Sequence, residues 1–276
     1  MSSETTLYTR RRFVLNSVVT ASALGAGALL GNKLFADPSQ IASRVQDAPS
    51  SHPLIPALQM GTNSLKALDD VKDYTATFTK REMIGRNLTD AKMEMKYRHN
   101  PYSVYFKFIS PSAGREAIYV AGENDGKMQA HEVGIAGLAG TLSLDVDGRL
   151  AMTDNRHPIT MAGMHIMVST LLEQWLSDTK LSGMTVNFYP NAKIGKIECK
   201  AIETSHRSPS SGAKYAMSRL YVDASTNYPI RVQQYEFPRK NKKQPELVED
   251  YLYTDIKTNV GLKDIDFSTS NSKYDF

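Results

Sequence analysis

The chain has 276 residues, enough for one large domain or two small ones. Hydrophobic residues at 41% and charged residues at 22% are ordinary globular usage, which excludes collagen-like, coiled-coil and wholly disordered chains. Most of the net charge of +4 sits before residue 37, where Arg10, Arg11, Arg12 and Lys33 face only Glu4, so the rest is nearly neutral and carries no nucleic-acid signal. The single cysteine, Cys199, excludes an internal disulfide and a cysteine-based metal site.

At the N-terminus Thr9-Arg10-Arg11-Arg12-Phe13-Val14 precedes an uncharged stretch from Leu15 to Leu30, and the small residue Ala36 follows. Basic, apolar and small residues in that order make a secretory signal. The paired arginines resemble the twin-arginine translocation motif, whose machinery exports folded proteins. Asn16, Ser17 and Ser22 interrupt the apolar stretch, which falls short of the ~20 residues of a membrane span. The expectation is a signal over 1–36, cleaved after Ala36, and a periplasmic or otherwise exported product with no permanent membrane span.

Residues 37–54 are rich in Ser, Pro, Ala and Asp without a hydrophobic period and read as a flexible leader, leaving 55–276 as one domain. Leu54, Leu58, Leu65, Leu68 and Val71 fall near three- and four-residue spacings, which predicts an amphipathic helix over 55–70. The period then drops to two. Tyr74, Ala76 and Phe78 alternate with threonines, and Met93, Met95 and Tyr97 alternate with Lys92, Glu94, Lys96 and Arg98. Further strands follow at 104–108, 117–120 and 127–133, divided by Asn100-Pro101, Ser110-Pro111 and a turn over 122–126. Residues 134–155 are glycine-rich and read as loop. A second helix is predicted over 158–176, where Met161, Met164, Met167, Val168, Leu171, Leu172 and Trp175 with few charges demand burial. Strands resume at 185–189, 193–203, 215–222, 230–237 and 246–257. The class is α+β with an antiparallel sheet: helix, about five strands, helix, about five strands.

Several phrases resemble a known superfamily. Tyr74-Thr75-Ala76-Thr77-Phe78, then Tyr97-Arg98-His99-Asn100-Pro101 with Val104-Tyr105-Phe106, is similar to the start of the outer-membrane lipoprotein carrier LolA and its relatives. Leu220-Tyr221-Val222-Asp223, Tyr228-Pro229-Ile230-Arg231, Tyr251 to Asp255 and Asp266-Phe267-Ser268 are similar to that superfamily's closing strands. Gly114-Arg115-Glu116-Ala117-Ile118-Tyr119-Val120 and Asn155-Arg156-His157-Pro158-Ile159-Thr160 resemble an exported bacterial family of unknown function placed near LolA. The likeness spans roughly residues 57–271. It implies a strongly curved, unclosed antiparallel half-barrel with helices on its concave face and a hydrophobic cavity that holds acyl chains. LolA itself has an arginine that holds its lid shut from inside; the loosely aligned residue here is Tyr105, a departure that leaves lipoprotein transfer in question.

A curved sheet lines its concave face with alternate side chains. The residues read as ligand-binding are Met95, Tyr97, Tyr105, Phe106 and Tyr119 on the strands, with Met164, Met167 and Leu171 as a helical lid. Methionine adapts to ligands of variable shape. Arg115 and Arg156 are added because arginine grips carboxylate or phosphate bidentately. The same apolar residues also fit a closed core, and the arginines an internal ion-pair network. One reading gives a non-enzymatic exported protein sheltering a lipid, acyl chain or other apolar ligand; the other gives a structural or sensory envelope module acting through a protein partner. His131-Glu132, His157 and His165 have metal-ligand side chains, but His157 and His165 stand about two helical turns apart. Nucleophile elbow, phosphate loop and dinucleotide motif are all missing, so no catalytic residue, metal or cofactor is expected.

Overall fold

A computed structural model describes residues 38–276 apart from 210–211 and 240–241. The signal read over 1–36 lies outside the described residues. Three α-helices are described: α1 (Pro38–Gln46), α2 (Ile55–Lys66) and α3 (Met164–Asp178). The first corrects the flexible-leader reading. Ile41 is fully buried and Val45, four residues on, packs beside it, so one face of α1 is apolar although only two residues carry the pattern. Arg44 then grips Glu173 of α3 through both carboxylate oxygens, at 2.6 and 2.7 Å.

Eleven strands of the described residues form one antiparallel sheet: β1 (Asp73–Ile84), β2 (Asn87–Arg98), β3 (Ser103–Ser110), β4 (Glu116–Val120), β5 (Met128–His131), β6 (Thr141–Leu144), β7 (Met184–Ile194), β8 (Ile197–His206), β9 (Met217–Asp223), β10 (Pro229–Glu236) and β11 (Glu246–Thr258). Their spatial order is β6-β5-β4-β3-β2-β1-β11-β10-β9-β8-β7. Two meanders are therefore stitched together at the middle, where β1 pairs with β11, while β6 and β7 remain as free edges. The sheet is unclosed. β6 lies in the segment read as loop; its alternation of exposed Thr141 and Ser143 with half-buried Leu142 and Leu144 is too short to stand out among the glycines.

One hydrophobic cluster takes Tyr74 and Phe78 from β1, Met93 to Tyr97 from β2, Ile202 from β8, Leu220 from β9 and Val232 from β10, together with the buried sides of α2 and α3. Strands from both halves meet over the same helices because the sheet curves around them, which is the half-barrel the alternating pattern implies. α2 and α3 approach closely at Gly61, where a Cβ would lie 2.7 Å from the Leu172 side chain.

The start of α3 is held by the sheet. No side chain of its own caps this helix, and its first amides need acceptors. The Tyr253 hydroxyl accepts from the Gly163 N–H at 3.0 Å and the Tyr74 hydroxyl from the Met164 N–H at 3.1 Å. Tyr102 donates back to the Ile159 and Ala162 carbonyls at 2.8 and 3.1 Å. Burial pushes the Tyr74, Tyr102 and Tyr253 phenols up, so all three stay protonated, Tyr74 and Tyr253 accepting here and Tyr102 donating. A short 3₁₀ turn, Ile159–Met161, takes the place of the first part of the predicted second helix.

The convex face carries the C-terminal segment as a strap. Phe267, Leu262, Tyr274 and Phe276 cover Tyr105, Ile118 and Val120, and the Tyr105 and Tyr274 rings stack with centroids 4.1 Å apart. Lys96–Asp266 and Arg98–Asp264, each at 2.6 Å, fasten the strap along β2.

Candidate functional site

A cavity of about 200 Å³ lies between the concave face and α3. Its floor is Phe78, Met93, Phe106, Phe108, Ala117 and Met128; Met167 and Leu171 roof it from α3, and Ile159, Met161 and Ala162 close one side. Strand parity explains the floor. Side chains two apart share a face, so Met93 on β2 and Phe106 and Phe108 on β3 all point inward. Phe78 stacks on Phe106 at 5.7 Å and on Tyr253 at 4.8 Å, which stiffens the floor.

The end under β1 and β11 is polar. Glu82 and Glu249 sit directly opposite each other in the β1–β11 register, both buried. Two carboxylates so placed repel unless cations intervene. Glu82 takes the Lys80 ammonium at 2.9 Å, the Tyr251 hydroxyl at 2.7 Å and the Arg156 N–H at 3.2 Å. Glu249 takes the Arg156 Nε at 3.1 Å and the Tyr215 hydroxyl at 2.8 Å, with His157 Nε2 at 3.3 Å. Burial alone would raise the Glu249 carboxyl, yet His157, Tyr215 and Arg156 together hold it below the usual range. Asn155 accepts from Lys80, and Arg156 also donates to the Met83 carbonyl at 2.9 Å. The segment 154–157 is thereby clamped onto β1 and β11.

Of the ten residues read from the sequence as ligand-binding, Phe106, Met167 and Leu171 line the cavity. Met95, Tyr97 and Met164 point to the same side but lie where α2 and the start of α3 fill the space, and are at most 1% exposed. Tyr119 packs beside Tyr102, away from the cavity lining. Tyr105 is corrected outright: neighbours along a strand face opposite sides, so it cannot share a face with Phe106, and it lies under the convex strap donating to Glu116 at 2.7 Å. Arg115 pairs with Glu132 at 2.7 Å and covers the Phe108 ring from outside the cavity. Arg156 forms the network just described rather than a free anion site. The polar lining residues Lys80, Glu82, Gln174, Gln234 and Glu249 were missed; the signal that could have found them is the inward parity of Lys80 and Glu82 after Tyr74, Ala76 and Phe78.

The histidines read as a cluster are dispersed: His131 lies near Phe276, His157 against Glu249, and His165 beside His99. Among the described residues no group of three ligating side chains could hold a metal ion. His165 accounts for a pH dependence. Its ring stands 4.6 Å from that of His99, and its Nε2 meets the Leu68 carbonyl at 3.0 Å. Burial, reinforced by His99, pushes it down to about 4, against the hydrogen bond to Leu68. Between about 4 and 6.5 the unfolded chain binds a proton that the folded chain does not. Stability is therefore expected to fall by up to about 3 kcal/mol as pH drops through that window. Urea titrations from pH 7 to 4 measure this, and His165→Gln is expected to flatten the curve.

An open antiparallel half-barrel with α3 over a cavity on its concave face defines the class of fold. Within it the chain belongs to the DUF1571 family, proteins of unknown function, whose model matches residues 71–276. Among solved structures it is similar to the lipoprotein LppX of Mycobacterium tuberculosis (14% identity, TM-score 0.44, covering 75% of this chain and 98% of that one). LprF of Mycobacterium bovis is comparable, with 10% identity, a TM-score of 0.44 and coverage of 77% and 97%. A LolA superfamily protein of Nitrosomonas europaea gives 11% identity, a TM-score of 0.22 and coverage of 77% and 97%. No curated protein matches the chain. Among the described residues no helix is long and apolar enough to cross a membrane.

Proposed function

We propose that this chain is an exported, non-enzymatic binding protein that shelters a lipid, acyl chain or other apolar molecule in the cell envelope. The observation that supports the reading is the cavity itself: aromatic and methionine side chains surround an unfilled space between the sheet and α3. A merely structural sheet would fill that space, because protein interiors are close-packed. Ligand pockets usually measure roughly 300 to 1,000 Å³, so a cavity of about 200 Å³ suits one narrow chain better than several.

Native mass spectrometry with lipid extraction, on mature protein purified without detergent from an exporting bacterium, tests the reading. The expected result is a reproducible bound mass in the native chain. That mass is expected to be lost when Met167→Phe and Leu171→Phe fill the cavity, with the far-UV circular dichroism unchanged. A clean ligand-free mass, together with no binding of an acyl-chain fluorophore by the unsubstituted protein, would overturn it and favour a self-contained module acting through a partner.

A further inference from the structure

The cavity crosses seven neighbouring strands, and its polarity changes along the way. β5, β4, β3 and β2 contribute Met128, Ala117, Phe106, Phe108 and Met93 without one polar side chain. β1, β11 and β10 bring Lys80, Glu82, Glu249 and Gln234. A molecule lying in it would have an apolar tail toward β5 and a polar head toward β10.

The charges at the polar end are not equivalent. Glu82 and Glu249 each already accept from three groups, so a cationic head would compete with bonds already made. Lys80 and Arg156 are held by those same carboxylates. Lys214 differs: it lines the rim, is exposed, and has no carboxylate partner among the described residues, its Nζ standing 4.8 Å from the Tyr215 ring centroid. Gln174 and Gln234 lie in the same wall, linked to each other at 2.9 Å. An ammonium with its charge uncompensated, next to amides at the end of an apolar groove, complements an anion.

We propose that the cavity takes a single-chain anionic amphiphile, its tail between Met128 and Met93 and its head group at Lys214. The proposal rests on the reading of the cavity as a ligand site. It is tested by titrating the mature chain with dodecanoate, dodecanol and dodecyltrimethylammonium, each displacing an acyl fluorophore. Dodecanoate is expected to bind about tenfold more tightly than the alcohol, as for a charge-assisted contact. Lys214→Glu is expected to abolish that margin and to favour the cation, while Lys214→Met makes dodecanoate and dodecanol equal. Lys214 is exposed, so neither substitution disturbs the fold, and circular dichroism verifies this. Equal binding of the three probes, unchanged by Lys214→Glu, would overturn the head-group assignment while leaving an apolar ligand in place. Failure of all three to bind would instead remove the ligand-binding reading itself.

Discussion

Gly163→Ala is expected to destabilise the protein by about 2–6 kcal/mol, from about 1–3 for the backbone and about 1–3 for overpacking. Gly163 has φ of 112° and ψ of 148°, a region that residues with a Cβ scarcely enter. A Cβ there would stand 2.5 Å from the Tyr97 ring, whose side chain is fully buried against Tyr74 at 4.7 Å and cannot retreat. The same residue donates its N–H to Tyr253. Shifting it would release the start of α3 from both tyrosine acceptors. Equilibrium urea unfolding gives the number; a change below 1 kcal/mol would mean that the turn into α3 is softer than this packing requires.

Arg156→Met is expected to cost about 3 kcal/mol at pH 7, because removing one partner leaves a buried charge uncompensated. Arg156 reaches Glu249, Glu236 and the Met83 carbonyl through its guanidinium and Glu82 through its backbone amide, and only the amide contact survives in the variant. The sign with pH follows from Glu249. Its folded carboxyl is held below the usual range, so the network contributes stability above about pH 4.5, and that contribution fades as acid protonates the group. The gap between native chain and variant should therefore be wide at neutral pH and narrow below pH 4.5. Parallel urea titrations at pH 7 and pH 4 measure it, and a gap independent of pH would show that Arg156 acts by packing rather than by charge.

Short runs of alternating or continuously apolar, β-prone residues made β1 to β5 and β8 to β11 legible, and β7 in part over 185–189. The amphipathic face of α2 was legible for the same reason at period 3.6. α1 was not, because its burial depends on two residues, Ile41 and Val45, and on a partner 129 positions away through Arg44 and Glu173. The cavity was half legible. Parity puts Phe106 inward, but it also puts Met95 and Tyr97 inward, and only the docking of α2 and α3 decides which inward residues meet open space. Pairing Glu82 with Glu249 was beyond local pattern, since it depends on the register between the first and last strands.

That register also governs when the molecule can finish folding. Glu82 and Tyr251, joined by a hydrogen bond, are 169 residues apart, and α3 takes one acceptor from Tyr74 on β1 and the other from Tyr253 on β11. While the chain is being synthesised, β1 presents a bare edge and α3 has half of its anchor. Closing such a loop late makes folding slow and leaves sticky intermediates exposed in the meantime. The pairing that joins the two halves of the sheet can therefore close only once β11 has been made.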